Sequence, residues 1–317
     1  MKPYENEIQI HHSFHVSFIQ RSGLCGVVIL IAASTQAQNL FVSTAGSGTI
    51  YEFTPGGVQS TFASGLGYAY GLAFNSAGDL FEADADSGHF GNGTIYEFTP
   101  GGVQSTFASG LNYPYGLAFN SAGDLFETDL GNGTIYEFTP GGVQSTFASG
   151  FAALRGLAVN SAGDLFVADY GSGTIYEFTP GGAKSTFASG LAPIGLAFNS
   201  AGDLFETDWG SGNPGSGNIY EFTPSGAKST FASGLTGPVG LAFNSAGDLF
   251  EADVIGTINE FTPGGVQSTF ASGSVSTPFF LAFQGETLPV PEPSALGLLA
   301  VGAIALLVRY HGRCAYR

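Results

Sequence analysis

Positive charge is what this chain has least of. Eight Lys and Arg stand against 25 Asp and Glu, a net charge of −17, and within residues 39–286 the only basic side chains are Arg155, Lys184 and Lys228. Three scattered cations form no basic patch, which argues against nucleic acid as a partner. A cation, or a neutral polymer such as a polysaccharide, fits this charge balance better. Cysteine is almost missing too: Cys25 and Cys314 both lie outside the central region, so no disulfide staples it, and an exported protein with a large core needs none. Charged residues of both signs make up only 10% of the chain and Gly is abundant. That composition alone would fit a low-complexity segment, but regular apolar alternation argues for ordered β structure. No helical period of apolar residues appears in the central region.

What fills that region is a repeat of about 40 residues. Its Leu-Phe step falls at Leu40, Leu80, Leu125, Leu165, Leu204 and Leu249, so there are six copies. Each copy offers four short strands. In the second copy strand a is Gly-Leu-Ala-Phe at 71–74, strand b Leu-Phe-Glu-Ala-Asp at 80–84, strand c Thr-Ile-Tyr-Glu-Phe at 94–98 and strand d Ser-Thr-Phe-Ala at 105–108. Asn-Ser-Ala-Gly joins a to b, and Thr-Pro-Gly-Gly joins c to d, with Pro then Gly at the two central positions of a tight turn.

Four antiparallel strands repeated six times predict an all-β, six-bladed β-propeller. The chain enters the repeats at a strand b (Leu40) and leaves them after a strand a (Phe280-Leu281-Ala282-Phe283), so the C-terminal strand is expected to complete the N-terminal blade and leave no free edge in the ring. The repeats, over residues 39–286, resemble NHL-type propeller repeats and more loosely the streptogramin lyase and gluconolactonase-like propellers. The resemblance implies fold; one fold hosts many activities.

The flanks carry sorting signals. Arg21 precedes an apolar run at 24–33, and Thr35-Gln36-Ala37 offers small residues for cleavage, so residues 1–37 read as a signal peptide cut by signal peptidase. At the other end Val290-Pro291-Glu292-Pro293-Ser294 precedes the uncharged run 295–308, followed by Arg309 and Arg313. Residues 287–317 thus resemble the PEP-CTERM sorting signal of Gram-negative bacteria, although the tail is less purely basic than usual. The resemblance implies processing by an exosortase near Pro291, Glu292 and Pro293, and delivery to the cell surface or extracellular matrix. The run 295–308 reads as a short transmembrane segment holding the protein transiently in the inner membrane; fourteen helical residues reach about 21 Å, so its flanks must help to span. Arg309 and the basic tail fit the positive-inside tendency.

Strand alternation puts the a–b and c–d loops on one face of the ring, and these hardly vary between copies. The b–c and d–a loops share the other face and hold nearly all the variation. The b–c loop is enlarged at 84–93 and 210–218, in opposite blades; the first holds His89 and the second abuts Trp209, the sole Trp. The residue before Gly-Leu-Ala changes round the ring through Tyr70, Tyr115, Arg155, Ile194 and Val239, with Phe279 in the closing blade. Innermost strands place these side chains at the channel mouth. Tyr70, Tyr115, Arg155, His89 and Trp209 are therefore the expected binding residues, for an exopolysaccharide or a surface protein.

Two acidic sets recur as well. Asp84, Asp129, Asp169, Asp208 and Asp253 end strand b, with Thr44 in the first copy; they read either as a ring attracting a divalent cation such as calcium or as turn residues accepting backbone N–H bonds. Glu82, Glu127, Glu206 and Glu251 stand where the other two copies have Val42 and Val167; buried carboxylates with so few basic partners must reach water, bind cations or hold protons. No nucleophile–base pair can be assembled from near-identical repeats and one isolated His, so a non-enzymatic surface propeller is the expectation. The alternative is a metal-dependent lactonase-like or streptogramin-lyase-like enzyme.

Overall fold

The computed structural model describes residues 17–21, 24–28, 38–86 and 91–285. The chain separates into two units, Met1–Ala37 and Gln38–Arg317. In the first, β1 (Ser17–Arg21) pairs antiparallel with β2 (Leu24–Val28), over part of the apolar run read as an export signal. The expected cleavage residues, His89, Pro291, Glu292, Pro293, Arg309 and the expected membrane segment 295–308 lie outside the described residues. Among the described residues no helix is long and apolar enough to cross a membrane.

The second unit is the six-bladed propeller. Blade 1 combines β3 (Leu40–Thr44), β4 (Thr49–Phe53) and β5 (Gln59–Ser64) with the last strand, β26 (Pro278–Phe283). Leu281 pairs with Val42 and Phe283 with Leu40, so the ring closes through the two ends of the domain, as the split first repeat requires. Blade 2 is β6 (Ala69–Phe74), β7 (Leu80–Asp84), β8 (Gly93–Phe98) and β9 (Gln104–Leu111) in chain order. Blades 3 to 6 repeat that order behind the inner strands β10 (Pro114–Phe119), β14 (Leu154–Val159), β18 (Pro193–Phe198) and β22 (Pro238–Phe243). Strands a and d run one to three residues beyond their expected limits, because pairing continues past the apolar positions that mark them in sequence.

Strand b is buried along its whole length because both of its faces meet another blade. Leu80 packs with Phe41 and Ile50 of blade 1, whereas Phe81 and Ala83 pack with Leu117, Leu125 and Phe138 of blade 3. Five of the six seams centre on one aromatic relay, as where Phe81 meets Phe107 and Phe119 edge-on, both at 5.0 Å. Phe166 repeats this with Phe187 and Phe198. In the sixth Val159 replaces one ring and Phe126 meets Phe147 alone. Burying one such ring contributes about 1.5–3 kcal/mol, so seams of this kind hold the ring together.

Inner strands approach backbone to backbone. A Cβ at Gly71 would lie 2.5 Å from the Tyr115 carbonyl oxygen, which explains Gly in strand a better than any turn does. At alternate seams a hydroxyl ties the blades: Ser43 Oγ donates to the Tyr70 carbonyl at 2.6 Å, Thr128 Oγ1 to that of Arg155 at 2.6 Å, and Thr207 Oγ1 to that of Val239 at 2.7 Å. The c–d hairpins are type I turns closed by a left-handed residue. Gly102 donates to the Thr99 carbonyl at 2.8 Å and has φ +76°. Blade 5 has Ser225 in place of the preceding Gly yet keeps Gly226 at φ +81°, so the left-handed position is the one that needs glycine.

Candidate functional site

The five strand-b aspartates are loop latches. Asp84 accepts from the Gly67 N–H at 2.8 Å with Oδ2 and from the Asp86 N–H at 3.0 Å with Oδ1. Asp129 does the same with Asn112 at 2.7 Å and Asn132 at 3.3 Å, Asp208 with Ala192 and Gly210, both at 2.8 Å, and Asp253 with Thr236 at 3.0 Å and Ile255 at 3.3 Å. Asp169 takes the Ala152 and Ala153 N–H groups and the Ser172 hydroxyl. Each carboxylate therefore joins the d–a loop entering its blade to its own b–c loop, which places these two loop sets at one end of the ring. Burial pushes Asp129 and Asp253 upward, and the donated N–H groups offset part of that. In blade 1 Thr44 is too short to span the loops; its hydroxyl bonds Ser47 and Thr49 instead. Among the described residues no three Asp, Glu, His or Cys side chains converge as metal ligands would.

The variable end carries an aromatic cluster at the channel mouth. Tyr70 and Tyr115, from adjacent inner strands, stack at 5.0 Å and 25°, and Phe279 of the closing strand meets Tyr70 edge-on at 4.9 Å. Phe280 reaches Tyr115 at 5.5 Å, and the Tyr70 and Tyr113 hydroxyls are hydrogen-bonded at 2.8 Å. Tyr68 flanks Tyr70 at 6.2 Å. Tyr70 and Tyr115 are only 8% and 4% exposed, so the rings bury one another's faces rather than standing free around the mouth. Burial raises both phenols, so both stay protonated; at Tyr115 the Arg155 guanidinium offsets part of this. Tyr113 and Thr277, in loops at this end, hold left-handed backbones at φ 78° and 49°, each at a cost of about 1–3 kcal/mol. Thr277 uses the conformation to accept the Gly46 N–H at 3.1 Å.

Arg155 completes this half of the mouth. Its guanidinium carbon lies 4.9 Å from the Tyr115 ring and 5.5 Å from the Tyr170 ring. The other two cations in the propeller, Lys184 and Lys228, sit on outer strands over Tyr176 and Tyr220. Of the residues expected to bind, Tyr70, Tyr115 and Arg155 thus converge. Trp209 does not join them: its ring lies against Gly237 and close to Gly212 of its own enlarged loop. The expectation missed Tyr68, Tyr113, Tyr170 and Phe280. The first two were legible as the Tyr-x-Tyr pairs 68/70 and 113/115; Tyr170 and Phe280 depend on how blades meet.

Glu82, Glu127, Glu206 and Glu251 are fully buried. Each shares a strand face with Leu80 or its equivalent, so each lies in the seam facing the preceding blade. Neither carboxyl oxygen of the first three accepts a well-formed hydrogen bond, although the Tyr70 and Tyr115 backbones lie close enough to Glu82 and Glu127 to offset a little of the burial. Burial pushes all three well above the usual carboxylate range, the neighbouring Asp84, Asp129 or Asp208 adding to it. Burial pushes Glu251 up to about 8, and Asn259 Nδ2, which donates to it at 2.8 Å, opposes that rise. Asn259 stands where the other blades have Tyr, a compensation visible in sequence as the one departure at that strand-c position. Of the three fates open to these carboxyls, the geometry favours holding protons.

A cavity of about 270 Å³ lies at the opposite, constant end between blades 1 and 2, lined by Phe41, Glu52, Phe62, Phe74, Phe98 and Gln284. Its aromatic walls are the same relay that packs other seams, so it belongs to the architecture rather than to the mouth.

Residues 289–313 match the PEP-CTERM protein-sorting motif. That motif marks an exported protein of Gram-negative bacteria recognised by an exosortase. No curated protein shows significant similarity to the chain. Among solved structures, the propeller is similar to a virginiamycin B lyase from Staphylococcus aureus (TM-score 0.59, 16% identity, 80% of this chain and 91% of that one). It is also similar to a gluconolactonase from Xanthomonas campestris (TM-score 0.60, 17% identity, 78% and 88%). A streptogramin B lyase structure aligns with a TM-score of 0.54 at 16% identity, over 77% and 76%. Identities this low carry the fold alone. The chain is therefore a six-bladed β-propeller of the shape those lyases and lactonases share, bearing a PEP-CTERM protein-sorting motif at residues 289–313.

Proposed function

We propose that this protein is a non-enzymatic propeller of the cell surface or extracellular matrix that binds a polysaccharide at its variable end. The observation that carries the reading is the convergence of Tyr68, Tyr70, Tyr113, Tyr115 and Tyr170 with Arg155 at one half of the channel mouth. The rest of the ring there is aliphatic, with Ile194 and Val239 in the matching positions. Tyr70 and Tyr115 form the sealed base of this cluster, and the partly exposed Tyr68, Tyr113 and Tyr170 present the aromatic bodies with polar tips that suit sugars, which have apolar faces and hydroxyl edges. Against the lactonase-like or lyase-like alternative stands the use already made of the acidic groups: the aspartates hold loops and the glutamates are sealed in seams. The test is retention of the purified exported protein on extracellular matrix from the producing organism. Retention should survive protease treatment of the matrix and fall after periodate oxidation of its sugars. The reverse pattern would assign a protein partner instead.

A further inference from the structure

Resting on that reading, the structure assigns the ligand a chemical feature: we propose that Arg155 anchors a single carboxylate on an otherwise neutral glycan, a uronate whose ring lies on Tyr170. Arg155 is the one cation at the variable end among the described residues of a protein with net charge −17. No described carboxylate pairs with it. It is half-buried, its Nε is fully covered and unpartnered, and no described residue accepts a hydrogen bond from its terminal nitrogens. Its position is fixed from two sides. The Thr128 hydroxyl holds its carbonyl at 2.6 Å, and the Tyr115 and Tyr170 rings flank the guanidinium at 4.9 and 5.5 Å. A guanidinium held on aromatic faces is pre-organised for the two parallel hydrogen bonds a carboxylate accepts.

Tyr170 supplies the second half of the site. It is 38% exposed, whereas Tyr115 is sealed in the cluster. An exposed ring beside an unpaired guanidinium matches a sugar acid, with the apolar pyranose face on the ring and the carboxylate on Arg155. The acidic surroundings set the charge density of the polymer. Repulsion over about 10 Å disfavours a uronate at every residue, while one isolated carboxylate is drawn to the local cation.

The experiment compares, by calorimetry on the exported protein at about 50 mM salt, cellotetraose, the same tetrasaccharide bearing one glucuronate, and an N-acetylated peptide with a free C-terminal carboxylate. The glucuronate should raise affinity about tenfold over the neutral sugar. Arg155→Gln should abolish that gain, Arg155→Lys should keep part of it, and Tyr170→Ala should weaken both sugars. Unchanged melting of each variant shows that folding is intact. Binding of both sugars with no gain from the carboxylate, or a gain that survives Arg155→Gln, overturns the Arg155 site and leaves the glycan reading standing. Preference for the peptide, or no binding of either sugar, overturns both.

Discussion

Replacing Glu251 by Gln should remove a pH dependence that the wild-type fold cannot avoid. Glu251 sits at 0% exposure in the seam between blades 5 and 6, with Asn259 donating to one oxygen and nothing to the other. Burial is the main cause of its raised pKa, Asp253 adds to it, and Asn259 opposes it. Below its ordinary value of 4.5 both folded and unfolded chains hold the proton, and the site carries no ionisation penalty. Between 4.5 and about 8 the unfolded chain releases a proton that the folded one keeps, so stability falls as pH rises; above about 8 the loss is constant. At about 1.4 kcal/mol per unit, the full loss is roughly 5 kcal/mol, and at neutral pH roughly 3 kcal/mol. Gln keeps the shape and an acceptor for Asn259 but does not titrate. Denaturant unfolding from about pH 4 to 9 should show the variant gaining on wild type as pH rises. Parallel profiles would refute the argument, and would mean that Glu251 reaches water or a counter-ion in the folded state.

Deleting residues 277–286 removes β26 with buried Leu281 and Phe283, costs roughly 5 kcal/mol or more, and exposes the edge of β3; a truncated protein that melts unchanged would contradict ring closure. Mass spectrometry of the exported protein should find no peptide from Ala295 onward, and recovery of an intact Arg317 terminus would rule out exosortase processing. Millimolar calcium or magnesium added to chelated protein at about pH 5 should leave the melting temperature unchanged, because the buried glutamates then hold protons; a rise would place a cation in a blade seam.

Much of this protein is local, and so was legible. A period of two within strands and about 40 between them sets which side chains enter the seams, and a strand b followed five repeats later by a strand a dictates closure. The aspartate latches were one of two readings open in sequence, since carboxylate-to-backbone bonding within a turn needs only neighbouring residues. The mouth is another matter. Tyr70 and Phe279 are 209 positions apart in the chain, yet their rings meet at 4.9 Å because the ring closes. The order of Tyr, Tyr, Arg round the inner strands placed these residues at the channel but gave no sign that the tyrosines would spend their faces on one another. Nor did it show that Arg155 would lie beside Tyr170 with no described carboxylate to pair with it. Likewise, four recurring glutamates pose a charge problem in sequence; only the packing of one blade on the next seals them from water and thereby settles their protonation. Local spacing decides what a residue faces, and the closed ring decides what it faces it with.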